Sequence, residues 1–171
     1  MQKSEKKLAE LKNLLVNGKY NEIHDRISML RSEEPFEGAI RSLALFYDRT
    51  ADEGLKLLIT AFFNDMKEKS GRAEIVEALN AVSNQFSRAM LASSCWQSGL
   101  DYSEYAVALA DAFMAGDYIT SLECFTVLET CSASINDRDR VDIITSLERE
   151  IPGYDIQKQR LAGELITMLK G

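Results

Sequence analysis

The chain has 171 residues, 46% hydrophobic and 27% charged, which suits one globular domain with a sizeable core. Two prolines and nine glycines are too few breakers for an all-β chain with its many turns. A net charge of −7 disfavours nucleic acid as a partner, because neutralising phosphates drives that binding.

Apolar residues recur at helical spacing along nearly the whole chain. Leu8, Leu11, Leu14 and Leu15 form a first stripe, and Gly18 caps its end. Ile23, Ile27 and Leu30 form a second, shorter helix. Pro35 suits the first turn of a third helix, which carries Ile40, Leu43, Ala44 and Tyr47. Thr50-Ala-Asp-Glu53 reads as a capping box opening a fourth helix, which runs to about Lys67. Gly71 precedes a fifth with Ile75, Val76 and Leu79, and a sixth runs from about Ser83 to Gln97 before Gly99. Asp101-Tyr-Ser-Glu104 resembles a capping box for a seventh, lined by Ala106, Leu109, Ala110 and Phe113. Gly116-Asp117 breaks and re-caps into an eighth through Cys131. Asp137 caps a ninth with Val141, Ile144 and Leu147, which Pro152-Gly153 ends, and the tenth carries Leu161, Leu165 and Leu169.

The second half echoes the first. Phe36, Ile40, Leu43, Ala44 and Tyr47 map onto Tyr102, Ala106, Leu109, Ala110 and Phe113, while Leu57, Phe62, Phe63 and Met66 map onto Leu122, Val127, Leu128 and Cys131. Such an echo spans two helix pairs of repeat-array length, and one pair cannot bury its apolar face alone. The second helix of each pair is the greasier. In residues 117–131 the polar strip is chiefly Thr120, Glu123 and Thr130, and in 54–66 it is Lys56, Thr60 and Asn64. A helix apolar over most of its circumference is packed between neighbours. The expected fold is therefore all-α: a right-handed α-α solenoid of about five stacked antiparallel helix pairs. It forms one domain over 1–171, with an N-terminal pair in 1–34 and four further pairs in 35–171.

Short amphipathic helix pairs with Asp caps resemble HEAT-like repeats. The runs CWQSGLDYSEY and GDYITSLECFTVLE are similar to segments of small bacterial HEAT-like proteins, most strongly over residues 35–150. The resemblance implies a protein-binding scaffold and carries over no catalytic residue.

No stretch approaches the roughly 18 uncharged apolar residues of a membrane helix. The basic start MQKSEKKLAELKNLL is interrupted by acids and followed by no apolar core, so it reads as a first helix rather than a targeting peptide. A cytoplasmic protein with no membrane partner is expected. Cys95, Cys124 and Cys131 lack paired spacing and read as small buried thiols.

His24 is the only histidine, set in a polar helix beside Asp25, which leaves a Cys-His or Ser-His pair short of a placed base. A di-iron bundle needs two Glu-x-x-His motifs, and the position three before His24 is Asn21. Zinc needs clustered Cys and His, and no Gly-rich phosphate loop occurs. Neither catalysis, a metal nor a cofactor is expected.

Phe86, Ala89, Met90, Ser93 and Trp96 share one helical face. That makes Trp96 a buried packing anchor and the CWQSGLDYSEY run a helix-to-helix corner.

Between Arg88 and Arg138 no basic side chain occurs, and seven acids do: Asp101, Glu104, Asp111, Asp117, Glu123, Glu129 and Asp137. This block equals the whole net charge. Its plain role is solubility. Its sharper role is a single-sign surface that steers a basic protein or peptide. The expected binding residues are Asp101, Tyr102, Glu104, Tyr105, Asp111, Asp117, Tyr118 and Glu123, since tyrosine suits interfaces. Two rival functions are a HEAT-like DNA glycosylase, which needs a catalytic Asp in a basic groove, and a purely structural homo-oligomer.

Overall fold

The computed structural model describes residues 2–171. These are 81% helical, with no strand among them. Ten α-helices follow one another: α1 (Gln2–Asn17), α2 (Tyr20–Leu30), α3 (Ala39–Arg49), α4 (Glu53–Asn64), α5 (Arg72–Ala81), α6 (Gln85–Gln97), α7 (Ala106–Ala115), α8 (Tyr118–Cys131), α9 (Asp137–Glu150) and α10 (Ile156–Lys170). Short 3₁₀ turns precede α5 and α7 and follow α8 and α9.

The odd-numbered helices touch in series, α1 on α3, α3 on α5, α5 on α7 and α7 on α9. The even-numbered helices do the same from α2 to α10, and each odd helix touches the even helix that follows it. Buried side chains of both rows form one continuous cluster. Leu43, Ile75, Leu109 and Phe113 come from the odd row, and Ile59, Phe63, Leu91 and Leu128 from the even row, all fully buried. Each such side chain contributes roughly 1.5–3 kcal/mol by leaving water.

Short polar side chains start most helices, because they satisfy N–H groups that have no partner within the first turn. Asp52 accepts from the Leu55 N–H, Asp117 from Thr120, and Asp155 from Gln157 and Lys158. Three expected starts shift. Pro35 lies in the link before α3 rather than in its first turn. The α9 cap is Asn136, not Asp137. Asp101 opens a 3₁₀ turn, and α7 begins only at Ala106. At α3 the cap comes from elsewhere in the chain: the Glu74 carboxylate accepts from Gly38 N at 2.8 Å and Arg41 N at 3.0 Å. Gly38 sits at φ +85°, which a side chain would disfavour. At the CWQSGLDYSEY corner, Gly99 (φ +71°) leaves α6 in the left-handed region that favours glycine.

Candidate functional site

The eight residues expected to form one acidic surface do not gather. Asp101, Glu104 and Tyr105 meet at the start of α7. Asp117 and Tyr118 lie past its other end, about 15 Å away at 1.5 Å per residue. Asp111 is exposed in the middle of α7, and Glu123 sits on α8, facing α6. Tyr102 is fully buried and belongs to the core. Its hydroxyl has no hydrogen-bond partner among the described residues. Burial, reinforced by the neighbouring Cys95 thiol, pushes its ionisation far above the usual tyrosine range. The echo with buried Phe36 already carried that signal.

The expected single-sign character is also corrected, because cations from outside the block reach it. Arg72, at the start of α5, donates to the Asp101 carbonyl and the Glu104 carboxylate, and its guanidinium lies 5.5 Å from the Tyr105 ring centre. At the opposite end Lys158 of α10 is buried, with Nζ donating to the carbonyls of Met114 at 2.8 Å and Gly116 at 2.7 Å. It completes the C-terminus of α7, where orphan carbonyls and the helix dipole favour a cation. Its Nζ also lies 4.5 Å from the Tyr154 ring centre. Burial lowers its pKa, with Asp155 and Asp117 opposing that shift.

Trp96 is not the buried anchor that the stripe suggested. It is 38% exposed, and its indole N–H donates to Glu123 Oε2 at 2.7 Å, bridging α6 to α8. The buried face of α6 is instead Ser87, Leu91, Ala92, Ser94 and Cys95, and Ser98 just past its end is buried too. Small side chains let the even helices approach closely; Ser94 donates to Asn64 Oδ1 and Ser98 to the Cys95 carbonyl, whereas the buried Thr120 hydroxyl of α8 has no partner among the described residues. On α8 the expected polar strip holds at Thr130, which is exposed, and at Glu123, which is partly exposed, but not at Thr120. Thr120 is fully buried, as is Ser121, whose hydroxyl donates to the Phe113 and Asp117 carbonyls, while Ile119 and Leu122 face water.

The even row thus shows apolar side chains. Among the described residues twelve large hydrophobics are exposed. Nine lie on even helices: Tyr20 and Met29 on α2, Leu57 on α4, Phe86 and Trp96 on α6, Tyr118, Ile119 and Leu122 on α8, and Ile156 on α10. Phe86 is 81% exposed, Leu57 72% and Ile119 51%. Leu57 and Leu122, partners in the internal echo, are both on this face.

The thiols are chemically quiet. All three are buried and free. Burial raises each, Cys124 to about 12 and Cys131 to about 11, with Cys95 higher still. A protonated thiol is not a nucleophile. His24 is partly exposed, with Nδ1 3.4 Å from Asp25 and its ring stacked 5.9 Å from that of Tyr20. Among the described residues no three His, Cys, Asp or Glu side chains cluster as a metal ion would require. No helix among them is long and apolar enough to cross a membrane.

Comparison with known protein families, with curated proteins and with solved structures finds no match for this chain.

Proposed function

We propose that the chain is a HEAT-like α-α solenoid of five helix pairs acting as a non-catalytic protein-interaction module, with the exposed face of its even-numbered helices as the binding surface. The observation that carries this reading is the concentration of exposed apolar side chains on that row, which holds nine of the twelve exposed large hydrophobics among the described residues, with Phe86 and Trp96 at the two ends of α6 and Ile119 and Leu122 in the first half of the adjacent α8. A soluble protein leaves few contiguous apolar patches to water, and such patches mark interfaces. Serial odd and even contacts fit stacked pairs, as expected of repeat arrays.

The partner is a protein or peptide that offers apolar anchors and basic flanks. Glu123 and Glu129 on α8 edge the face, and the net charge of −7 draws a cationic partner. The non-catalytic reading is supported by the protonated thiols and by the employment of the acids. Of the three aspartates that a glycosylase could use, Asp101 and Asp117 cap backbone N–H groups, while Asp111 stands exposed on α7; Arg72 occupies Glu104.

The test is a pull-down from the native host with wild type and with a Phe86→Glu, Ile119→Glu, Leu122→Glu variant. These positions are exposed, so the variant keeps its helical circular dichroism. The reading predicts loss of the wild-type partner. Recovery of the same partner by the variant refutes it.

A further inference from the structure

A cleft elsewhere on the chain has no lining residue from α6 or α8. It encloses about 460 Å³ between the α2–α3 link and the α4–α5 link, a volume typical of ligand pockets. Its floor is apolar: Leu30, Phe36, Ile40, Phe62 and Met66. The back wall closes tightly at Gly71, where a Cβ would come within 2.4 Å of the Ile40 side chain.

The rim is acidic. Glu33, Glu34, Glu37, Asp65, Glu68 and Glu74 line the cleft, against Arg31 and Lys67. Several of these groups are already engaged. Glu33 holds Arg26 and Lys7, Asp65 pairs with Arg31, and Glu74 caps α3. Lys67 turns its ammonium to the Ser98 carbonyl. That leaves Glu34, Glu37 and Glu68, all exposed and in no ion pair among the described residues. Glu34 and Glu37 stand on one link, and Glu68 stands on the other.

We propose that this cleft is a docking site for a short peptide segment with an apolar side chain flanked on both sides by Lys or Arg. The apolar floor takes the anchor. Free carboxylates on both links call for cations on both sides of it, which a single-headed amine does not supply. Recognition here is charge complementarity around a desolvated centre, and it weakens as salt screens the exposed rim. The proposal does not depend on the α6–α8 face.

The probe is the peptide acetyl-Lys-Lys-Leu-Phe-Lys-Lys-amide carrying a fluorescein on an added C-terminal Cys, with the Glu-for-Lys peptide and hexylamine as comparisons. Two-dimensional ¹⁵N–¹H spectra of the full chain should show shifts centred on residues 34–41 and 65–72. Glu34→Gln, Glu37→Gln and Glu68→Gln together should weaken binding about eightfold, each exposed ion pair counting for a factor of about two. They should leave the melting temperature unchanged. The Phe86→Glu, Ile119→Glu, Leu122→Glu variant should bind the peptide as wild type does, which separates this site from the other face. Equal binding of the acidic peptide, shifts confined to other helices, competition by hexylamine at the peptide's own concentration, or unchanged affinity in the triple Gln variant would overturn the proposal. So would a demonstration by sedimentation that a second copy of the chain fills the cleft.

Discussion

Tyr102→Phe is expected to stabilise the protein. The Tyr102 ring is fully buried, and its hydroxyl has no partner among the described residues. A buried polar group without a hydrogen bond costs about 1–3 kcal/mol in lost hydration. Phenylalanine keeps the ring and nearly all the volume, so it opens no large cavity, and the packing against Tyr105 at 6.2 Å between ring centres persists. Part of the cost is recovered in the wild type by contact with the Cys95 thiol and Ser98, which lie beside the hydroxyl. A net gain of about 1 kcal/mol is therefore expected, or about 2–4 °C for a domain of this size. The assay is urea unfolding followed by circular dichroism, in which the midpoint should rise at constant slope. A loss of 1 kcal/mol or more would refute the reasoning, because it would mean that the hydroxyl makes a bond the structure does not contain. A surface tyrosine, as the residue pattern first suggested, would give a change within about 0.5 kcal/mol.

Trp96→Ala should cost about 1–2 kcal/mol rather than the 3–5 of a fully buried ring, since the indole is 38% exposed. Its fluorescence maximum should fall between those of buried and solvated indole, and emission typical of either extreme would contradict the placement. Asp48 accepts from the Ser83 and Asn84 N–H groups and the Ser83 hydroxyl, tying α3 to the start of α6. Burial alone would raise its pKa, but these bonds and the Ser87 hydroxyl outweigh burial and lower it. A depressed carboxylate stabilises the fold above its unfolded pKa, and that contribution fades as pH falls through the folded value, below about 4. Asp48→Asn should therefore cost about 1–2 kcal/mol at pH 7 and flatten the acid limb of the stability profile; an unchanged limb would count against this. Iodoacetamide should leave Cys95, Cys124 and Cys131 unmodified in native protein and label them in urea, and fast native labelling would show that they are not buried.

Ten helices were legible because their apolar positions recur every three to four residues and because Asp52 and Asp117 start their helices as such residues do. The greasier character of the second helix in each pair reads as burial between neighbours, whereas Leu57, Ile119 and Leu122 of those helices are exposed. The sequence was ambiguous where one helix carries two overlapping stripes. In α6, hydrophobicity favours Phe86, Met90 and Trp96, whereas close helix packing selects the small residues Ser87, Ala92, Ser94 and Cys95. Equally hidden were groups that act across long stretches of chain. Arg72 reaches Glu104 over 32 positions, Lys158 reaches Met114 over 44, and Glu74 caps α3 from 36 positions beyond Gly38. No local pattern encodes such pairs, so a block that reads as purely acidic along the chain is partly neutralised in space.

The central claim is that the even-numbered row is the face a partner touches. Site-specific photo-cross-linking in the native host tests it most directly, with a benzophenone amino acid placed at Phe86 or Leu122 on the even row, and at Val107 or Val141 on the odd row, all four being exposed. The account predicts adducts with a distinct partner protein from Phe86 and Leu122 and none from Val107 and Val141. Adducts from the odd row alone, or adducts from Phe86 and Leu122 only to another copy of the same chain, would contradict it.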